Sequence, residues 1–391
     1  MDEFGLSQLS SQEMEEGVVQ AKIYEGVIRQ GELAGARVVL KAYPPRVLYP
    51  LADVMAMNEL VVHRSLQTGG KDPTNVVKLL GGMVSMGGAA SGEQWLVFRG
   101  GRDGTVTLEQ YCKMAASARA QGQAVGEGEA WDRFDPQKPL RRRQAFMIKG
   151  LRGAFQGLDF MHGKDWLHQS MGPSSVVLST TDERDTRMLN GRLKDLAFAV
   201  DVSNEALFGG ANLADIWEKG GSYHVGVVDW IHARVCRFLS SSHHCSPSLL
   251  DAGKTEKDAN PANQLADDLW ARARVNGAMT AQEKRTFGIS DDVYASGLML
   301  LSSIFLAFCE EGSIDGPQLQ RLVENTFRND IQSFRDYADA DDRWTDAVAF
   351  LDIGEGAGWE LVGATLQSNW RSRPTVESIL NHRFMTGEAF D

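Results

Sequence analysis

The stretch "FMHGKDWLHQSMGPSSVVLS", Phe160 to Ser179, decides how this chain reads. It joins two kinds of local pattern. Upstream, "RQAFMIKGLRGAFQGLDFMH" spaces Ile148, Leu151, Phe155, Leu158 and Met161 along one face of a helix. Downstream, Val176-Val177-Leu178 is a short apolar strand run. Between them His168 and Pro173 frame a loop made of Gln169, Ser170, Met171 and Gly172. No carboxylate lies inside that frame.

The chain on either side of this loop has a different character. Before residue 100, "AKIYEGVIR" and "ARVVLKAY" alternate or run apolar, separated by Gly-rich turns, as a meander does. "PLADVMAMNELVVHRSLQ" changes to helical period, with Leu51, Val54, Met55, Leu60/Val61 and Leu66 roughly on one face. "NVVKLLGGMVSM" and "EQWLVFRGG" return to strand character. The pattern is five strands with one helix after the third. From Thr107, a plausible cap, the chain turns helical. The Gly/Ala/Gln-rich stretch near 115–140 and the segment 204–288 read as insertions.

Composition sets the class. A 391-residue chain with 43% hydrophobic and 24% charged residues can bury a full core. Its net charge of −12 argues against a nucleic-acid partner, despite the local basic run Arg141–Arg143. The apolar segment Tyr294 to Phe308 is too short to span a bilayer and reads as a buried helix. The acidic start lacks the basic region of a signal peptide, and the chain reads as soluble. Cys236, His243, His244 and Cys245 cluster near one another, but their spacing matches no familiar zinc pattern. They read as a Ser/His-rich surface loop.

A strand-rich part followed by a helical part, joined to this loop, resembles the protein kinases. The expectation is an α+β, bilobal protein-kinase fold: a single domain over 1–391, with an antiparallel-sheet N-lobe at 15–100 and a mainly helical C-lobe at 101–391. Lys41, ending "VVLK", falls where the kinase lysine that holds ATP phosphates sits, and Glu59 where the helix glutamate that fixes it sits. Asp195 in "KDLAFAVD" matches the magnesium-binding Asp, with Ala197 where glycine is usual. Ile23, Val39, Phe98, Arg99 and Gly101 fall at nucleotide-binding positions, Phe98 as gatekeeper and Arg99 to Gly101 at the hinge. In the loop itself the resemblance fails where chemistry is done. Ser170 stands at the base position, Gly172 at the γ-phosphate lysine, and Ser175 at the second magnesium ligand. Glu16, Val18 and Ala21 replace the glycines of the phosphate-covering loop, leaving only Gly17 nearby. Asp292 and Arg373 match scaffold positions of the fold, although the usual glutamate partner of Arg373 has no counterpart.

Within the kinases the chain resembles the chloroplast state-transition kinases, thylakoid enzymes that phosphorylate light-harvesting antenna proteins. The likeness rests on "SGEQWLVFRG" (Ser91 to Gly100), "KDLAFAVDV" and "FLDIGEGAGWELVGATL" (Phe350 to Leu366). It implies ATP and Mg²⁺ as cofactors, held by Lys41, Asp195 and Ser175. It also implies a protein substrate or regulatory partner such as the antenna proteins, and a place on the stromal side of the thylakoid. Two functions follow from the retained and the replaced positions. The retained Lys41, Glu59 and Asp195 suit a serine/threonine kinase that transfers the γ-phosphoryl weakly or by a non-standard route. The losses at Ser170, Gly172 and Ser175 suit a pseudokinase that acts as a scaffold or allosteric partner. Crowding of the adenine slot by Val39 and Phe98 leaves a third reading, an interaction module that binds no nucleotide.

Overall fold

The computed structural model describes residues 7–14, 19–45, 50–68, 74–85, 92–101, 106–120, 138–209 and 261–390. Two compact units form. The first takes the described residues of Met1–Asp72, Lys78–Gly100 and Leu196–Lys284; the second takes those of Pro73–Val77, Gly101–Asp195 and Arg285–Asp391.

In the first unit β1 (Ser7–Met14), β2 (Val19–Val27), β3 (Arg37–Tyr43), β4 (Leu79–Val84) and β5 (Gln94–Arg99) make one antiparallel sheet, ordered β1-β2-β3-β5-β4. The helix α1 (Pro50–Gln67) follows β3, as the change of period predicts. Residues paired directly across strands share a face, and so do residues two apart on one strand. The pairs Ile23↔Lys41, Lys41↔Leu96 and Val39↔Phe98 therefore put Ile23, Val39, Lys41 and Phe98 on one face.

The buried side of α1 takes in Met55, Leu60 and Leu66 of the apolar face read from the sequence, and extends beyond it. Ala52, Met55, Ala56, Glu59, His63 and Leu66 are all buried, at spacings of three and four. Val54 and Val61 are only half-buried. Small alanines carry little weight in a hydrophobic pattern, yet they let a helix approach its neighbour closely. The consequence is that a glutamate lies in the middle of an apolar face.

The segment read as loop-like before residue 288 contains a helix, α2 (Pro261–Val275), which packs against α1. Proline suits a first helical position because its missing N–H would be unpaired there anyway. Ala266, Leu269 and Ala273 form the buried stripe, too few and too small to stand out among polar neighbours.

In the second unit the long helix Lys138–His162 buries Leu151, Phe155, Leu158 and Met161 completely. A row of small residues on it lets the hairpin of Val176–Leu178 and Gly191–Leu193 lie close. The helix Ala281–Phe308 is longer than its apolar core suggests, and it has the length and composition to cross a membrane. However, 72% of its apolar window is buried within the protein, which makes it a core helix. It contributes Phe305 and Phe308 to an aromatic cluster with Phe334, Trp344, Phe350 and Trp359. The helix Thr345–Thr365 breaks at Gly354-Glu355-Gly356, whose φ values of 62°, 60° and 83° are left-handed. Glycine tolerates that region without a Cβ clash, and Arg383 Nη1 donates to the Gly354 carbonyl at 2.6 Å.

Replacing Gly153 tests this close approach. Alanine there gains about 1 kcal/mol in helix propensity, but its Cβ would lie 2.6 Å from both the N and the O of Gly191. Because those atoms are backbone, the overpacking loss, about 1–3 kcal/mol in general, should exceed the gain. Urea denaturation should show Gly153→Ala destabilised. Gly316→Ala, at a helix start with open space around its Cβ, should be unchanged or slightly more stable. Equal stability of the two variants would contradict the packing described.

Candidate functional site

In the first unit, Lys41 and Glu59 form a buried ion pair. Their side chains are 3% and 1% exposed, and Lys41 Nζ lies 3.1 Å from Glu59 Oε2 and 3.5 Å from Oε1. Tyr43, two residues past Lys41 and so on the same face of β3, donates its hydroxyl to Glu59 Oε2. The Leu196 N–H donates to Glu59 Oε1 at 3.2 Å. One carboxylate thus accepts from an ammonium, a phenol and a backbone amide, the multiple pairing that a buried charge requires. Burial, and then the charge of Glu59, pushes the Tyr43 hydroxyl well above its ordinary pKa, so it remains a donor. The ammonium also lies 5.1 Å from the centre of the Tyr43 ring.

The next residue of α1 makes a second tether. Asn58 Nδ2 donates to the carbonyls of Ala197 and Ala199, at 2.8 and 2.9 Å. Leu196–Phe198 forms one 3₁₀ turn. Ala197 is outside the left-handed region, among the described residues, so the alanine in place of glycine meets no backbone strain. Of the remaining expected nucleotide positions here, Phe98 is buried edge-on to His63, with ring centres 5.1 Å apart. Ile23 and Val39 are half-buried and Arg99 is exposed. Glu16, Gly17 and Val18 lie outside the described residues, as do Cys236, His243, His244 and Cys245.

In the second unit, Asp292 organises the loop that carries His168. It is fully buried. Its Oδ2 accepts from the His168 N–H at 2.7 Å and meets His162 Nε2 at 3.0 Å. Its Oδ1 accepts from the Gln169 N–H at 2.8 Å and from Gln169 Nε2 at 3.0 Å. Burial alone would raise the Asp292 pKa, but His162 and the bond from the His168 N–H hold it below the usual carboxylate value. Gln169 adopts a left-handed φ of 57°, a cost that its two bonds to Asp292 offset. His168 Nδ1 accepts from the Ser170 N–H at 3.2 Å, and its Nε2 faces the Lys194 carbonyl at 3.1 Å. A ring that accepts at Nδ1 and donates at Nε2 is neutral, and burial does push its pKa down.

Ser175 and Asp195, expected as metal ligands, have protein partners. The Ser175 hydroxyl donates to the Gly172 carbonyl at 2.7 Å and accepts from the Gly172 N–H at 2.9 Å, which closes the loop on itself. Ser170 is half-buried, and no carboxylate occurs between His168 and Ser175. Asp195 is buried, with φ 64°, and its Oδ2 pairs with Lys194 Nζ at 2.7 Å. Gly101 is half-buried. Arg373 donates to the carbonyls of Gln367 and Ser290 at 2.8 and 2.9 Å and lies over the Tyr294 ring. These contacts stand where a glutamate was sought. Tyr43, Asn58, Gln169, His162 and Lys194 escaped the sequence reading. Tyr43 alone had a usable signal, its strand spacing of two from Lys41.

The sequence matches no protein-family profile and no curated protein. In three dimensions it is similar to the crystal structure of a Stt7 homologue from Micromonas algae, soaked with ATP. The TM-score is 0.53 at 18% sequence identity, over 97% of this chain and 92% of that one. With the small antiparallel sheet and the larger helical part, this establishes a kinase-like α+β fold.

Two measurements check the site. Glu59→Ala removes one member of a buried ion pair and should cost about 3–5 kcal/mol. Glu59→Gln with Lys41→Met removes both charges, keeps an acceptor for the Leu196 N–H and offers an N–H to the Tyr43 oxygen, and should recover at least about 1 kcal/mol of that loss. Double and single variants of equal stability would contradict the pairing. The second measurement concerns acid. Unfolded His168 takes up a proton near pH 6.5, whereas the folded, buried ring resists it. Stability should therefore fall as pH drops through and below that value. Asp292 acts only at lower pH, since its contribution persists above its unfolded value of about 3.9. Between pH 7.5 and 5.5, His168→Leu should show a shallower loss of stability than the wild-type protein. An unchanged slope would show that His168 is not held neutral.

Proposed function

We propose that this protein is a nucleotide-binding pseudokinase, a single kinase-like domain that holds ATP without transferring its phosphoryl group. One contrast carries the reading. The Lys41–Glu59 pair is intact, buried and tied to Leu196, while the His168 loop keeps its shape and has no carboxylate at its reactive position. Lys41 would neutralise phosphate charge, Ile23, Val39 and Phe98 would pack on the base, and Arg99 to Gly101 would present backbone to its edge. The ATP soak of the similar Stt7 homologue supports nucleotide as the ligand class.

A serine cannot replace a carboxylate base at neutral pH, and loss of a general base costs about 10²–10⁴-fold in rate. Magnesium does not fit the donor set either. The Ser175 hydroxyl is used by Gly172, and the Asp195 carboxylate is paired with Lys194. The segments that resemble the chloroplast state-transition kinases support a divergent green-algal homologue of that family, and a protein partner at the stromal face of the thylakoid, antenna proteins included.

Calorimetric titration with ATP tests the reading, alongside transfer assays with radiolabelled ATP and antenna protein. Wild type should bind, and Lys41→Met, shown to be folded by circular dichroism, should bind at least about tenfold more weakly, a difference of about 1.4 kcal/mol. No label should reach protein. Transfer by wild type that Asp195→Asn abolishes would establish an active kinase instead.

A further inference from the structure

We infer that Lys194 is a built-in cation at Asp195: its ammonium takes, at that carboxylate, the place of a divalent metal, so that a nucleotide phosphate is met there by a lysine and needs no metal. The inference rests on the nucleotide-binding reading above. Side chains of adjacent residues normally point apart along an extended chain. Here the left-handed φ of Asp195, 64°, turns the chain so that Lys194 Nζ meets Asp195 Oδ2 at 2.7 Å.

Lys194 is also fixed at its root. Its N–H donates to the Ser175 carbonyl at 2.9 Å, and its own carbonyl meets His168 Nε2 at 3.1 Å. The ammonium therefore arises from a pinned backbone in the same loop network that Asp292 holds. The carboxylate is almost fully buried, at 5% exposure, whereas the lysine side chain retains 22%. The cation is thus the member of the pair that solvent, or an anion, can reach.

Charge and donor number both disfavour a metal here. Magnesium demands near-octahedral oxygen coordination and gives up its waters reluctantly. Asp195 is already neutralised by Lys194, so an incoming dication meets an ammonium instead of a bare carboxylate. The second expected ligand, Ser175, has its hydroxyl hydrogen on the Gly172 carbonyl and a lone pair on the Gly172 N–H. An ammonium is, in turn, a competent phosphate partner as a point charge.

The experiment is calorimetric titration of the full chain with ATP, in EDTA and in excess magnesium chloride, for wild type, Lys194→Met and Lys194→Arg. Wild-type Kd should agree within about threefold between the two buffers, or be weaker with magnesium. Lys194→Met should lose about tenfold or more in EDTA, and magnesium should restore part of that loss. Lys194→Arg should keep metal-independent binding, which shows that charge and not the fold is at stake. Wild-type binding seen only with magnesium overturns the inference and leaves the nucleotide reading standing, as does Lys194→Met binding like wild type in EDTA. Absence of wild-type binding in both buffers overturns the nucleotide reading and this inference with it.

Discussion

A carboxylate buried in the middle of an apolar helix face must be fully paired, and Glu59 meets that demand with Lys41, Tyr43 and the Leu196 amide. Removing a donor would leave the buried carboxylate short of a partner, which is the expensive case in protein interiors. The helix is therefore tied at one residue to β3 and to the segment after Asp195, and Asn58 adds two more bonds to that segment. The position of Lys41 follows from this arrangement. A lysine held by a buried acid is pre-organised for an anion, because its rotamer freedom is already spent.

Asp292 plays the corresponding part in the second unit. It fixes the backbone of His168 and Gln169 with two N–H bonds, and His168 fixes the carbonyl before Asp195. Gln169 contributes through its own amide to Asp292, and Ser175 closes the loop through Gly172. Each polar side chain of the loop so described is spent on shape. His168, Gln169 and Ser175 thus hold the loop backbone through their own side chains. The retained acid, Asp195, carries its own ammonium.

Much of this was legible in the residues. Period two marked the strands, and period three to four marked the helix carrying Glu59. The His168–Pro173 frame marked the loop, and its missing carboxylate is a plain fact of the sequence. What was not legible is instructive. The stripe of α1 ran through alanines, which a hydrophobic pattern underweights, so the burial of Glu59 did not show. Helix Pro261–Val275 buries Ala266, Leu269 and Ala273, too little apolar bulk to rise above its polar neighbours. The pairings of Lys194 and Ser175 depend on one left-handed φ and one loop closure, neither of which a residue type announces. Glu183 is a further case. It is buried against Tyr111 and Arg143, at 2.8 and 3.1 Å, and nothing in its local sequence marks it.

These two hubs support one account: the fold retains the charges that hold a nucleotide and has given up those that react with it. A crystal structure of the protein grown with ATP and magnesium examines both halves at once. The account predicts density for the triphosphate within reach of the Lys41 ammonium, Lys194 still on Asp195, and no metal at that carboxylate. A magnesium ion coordinated by Asp195, with Lys194 displaced, would contradict it.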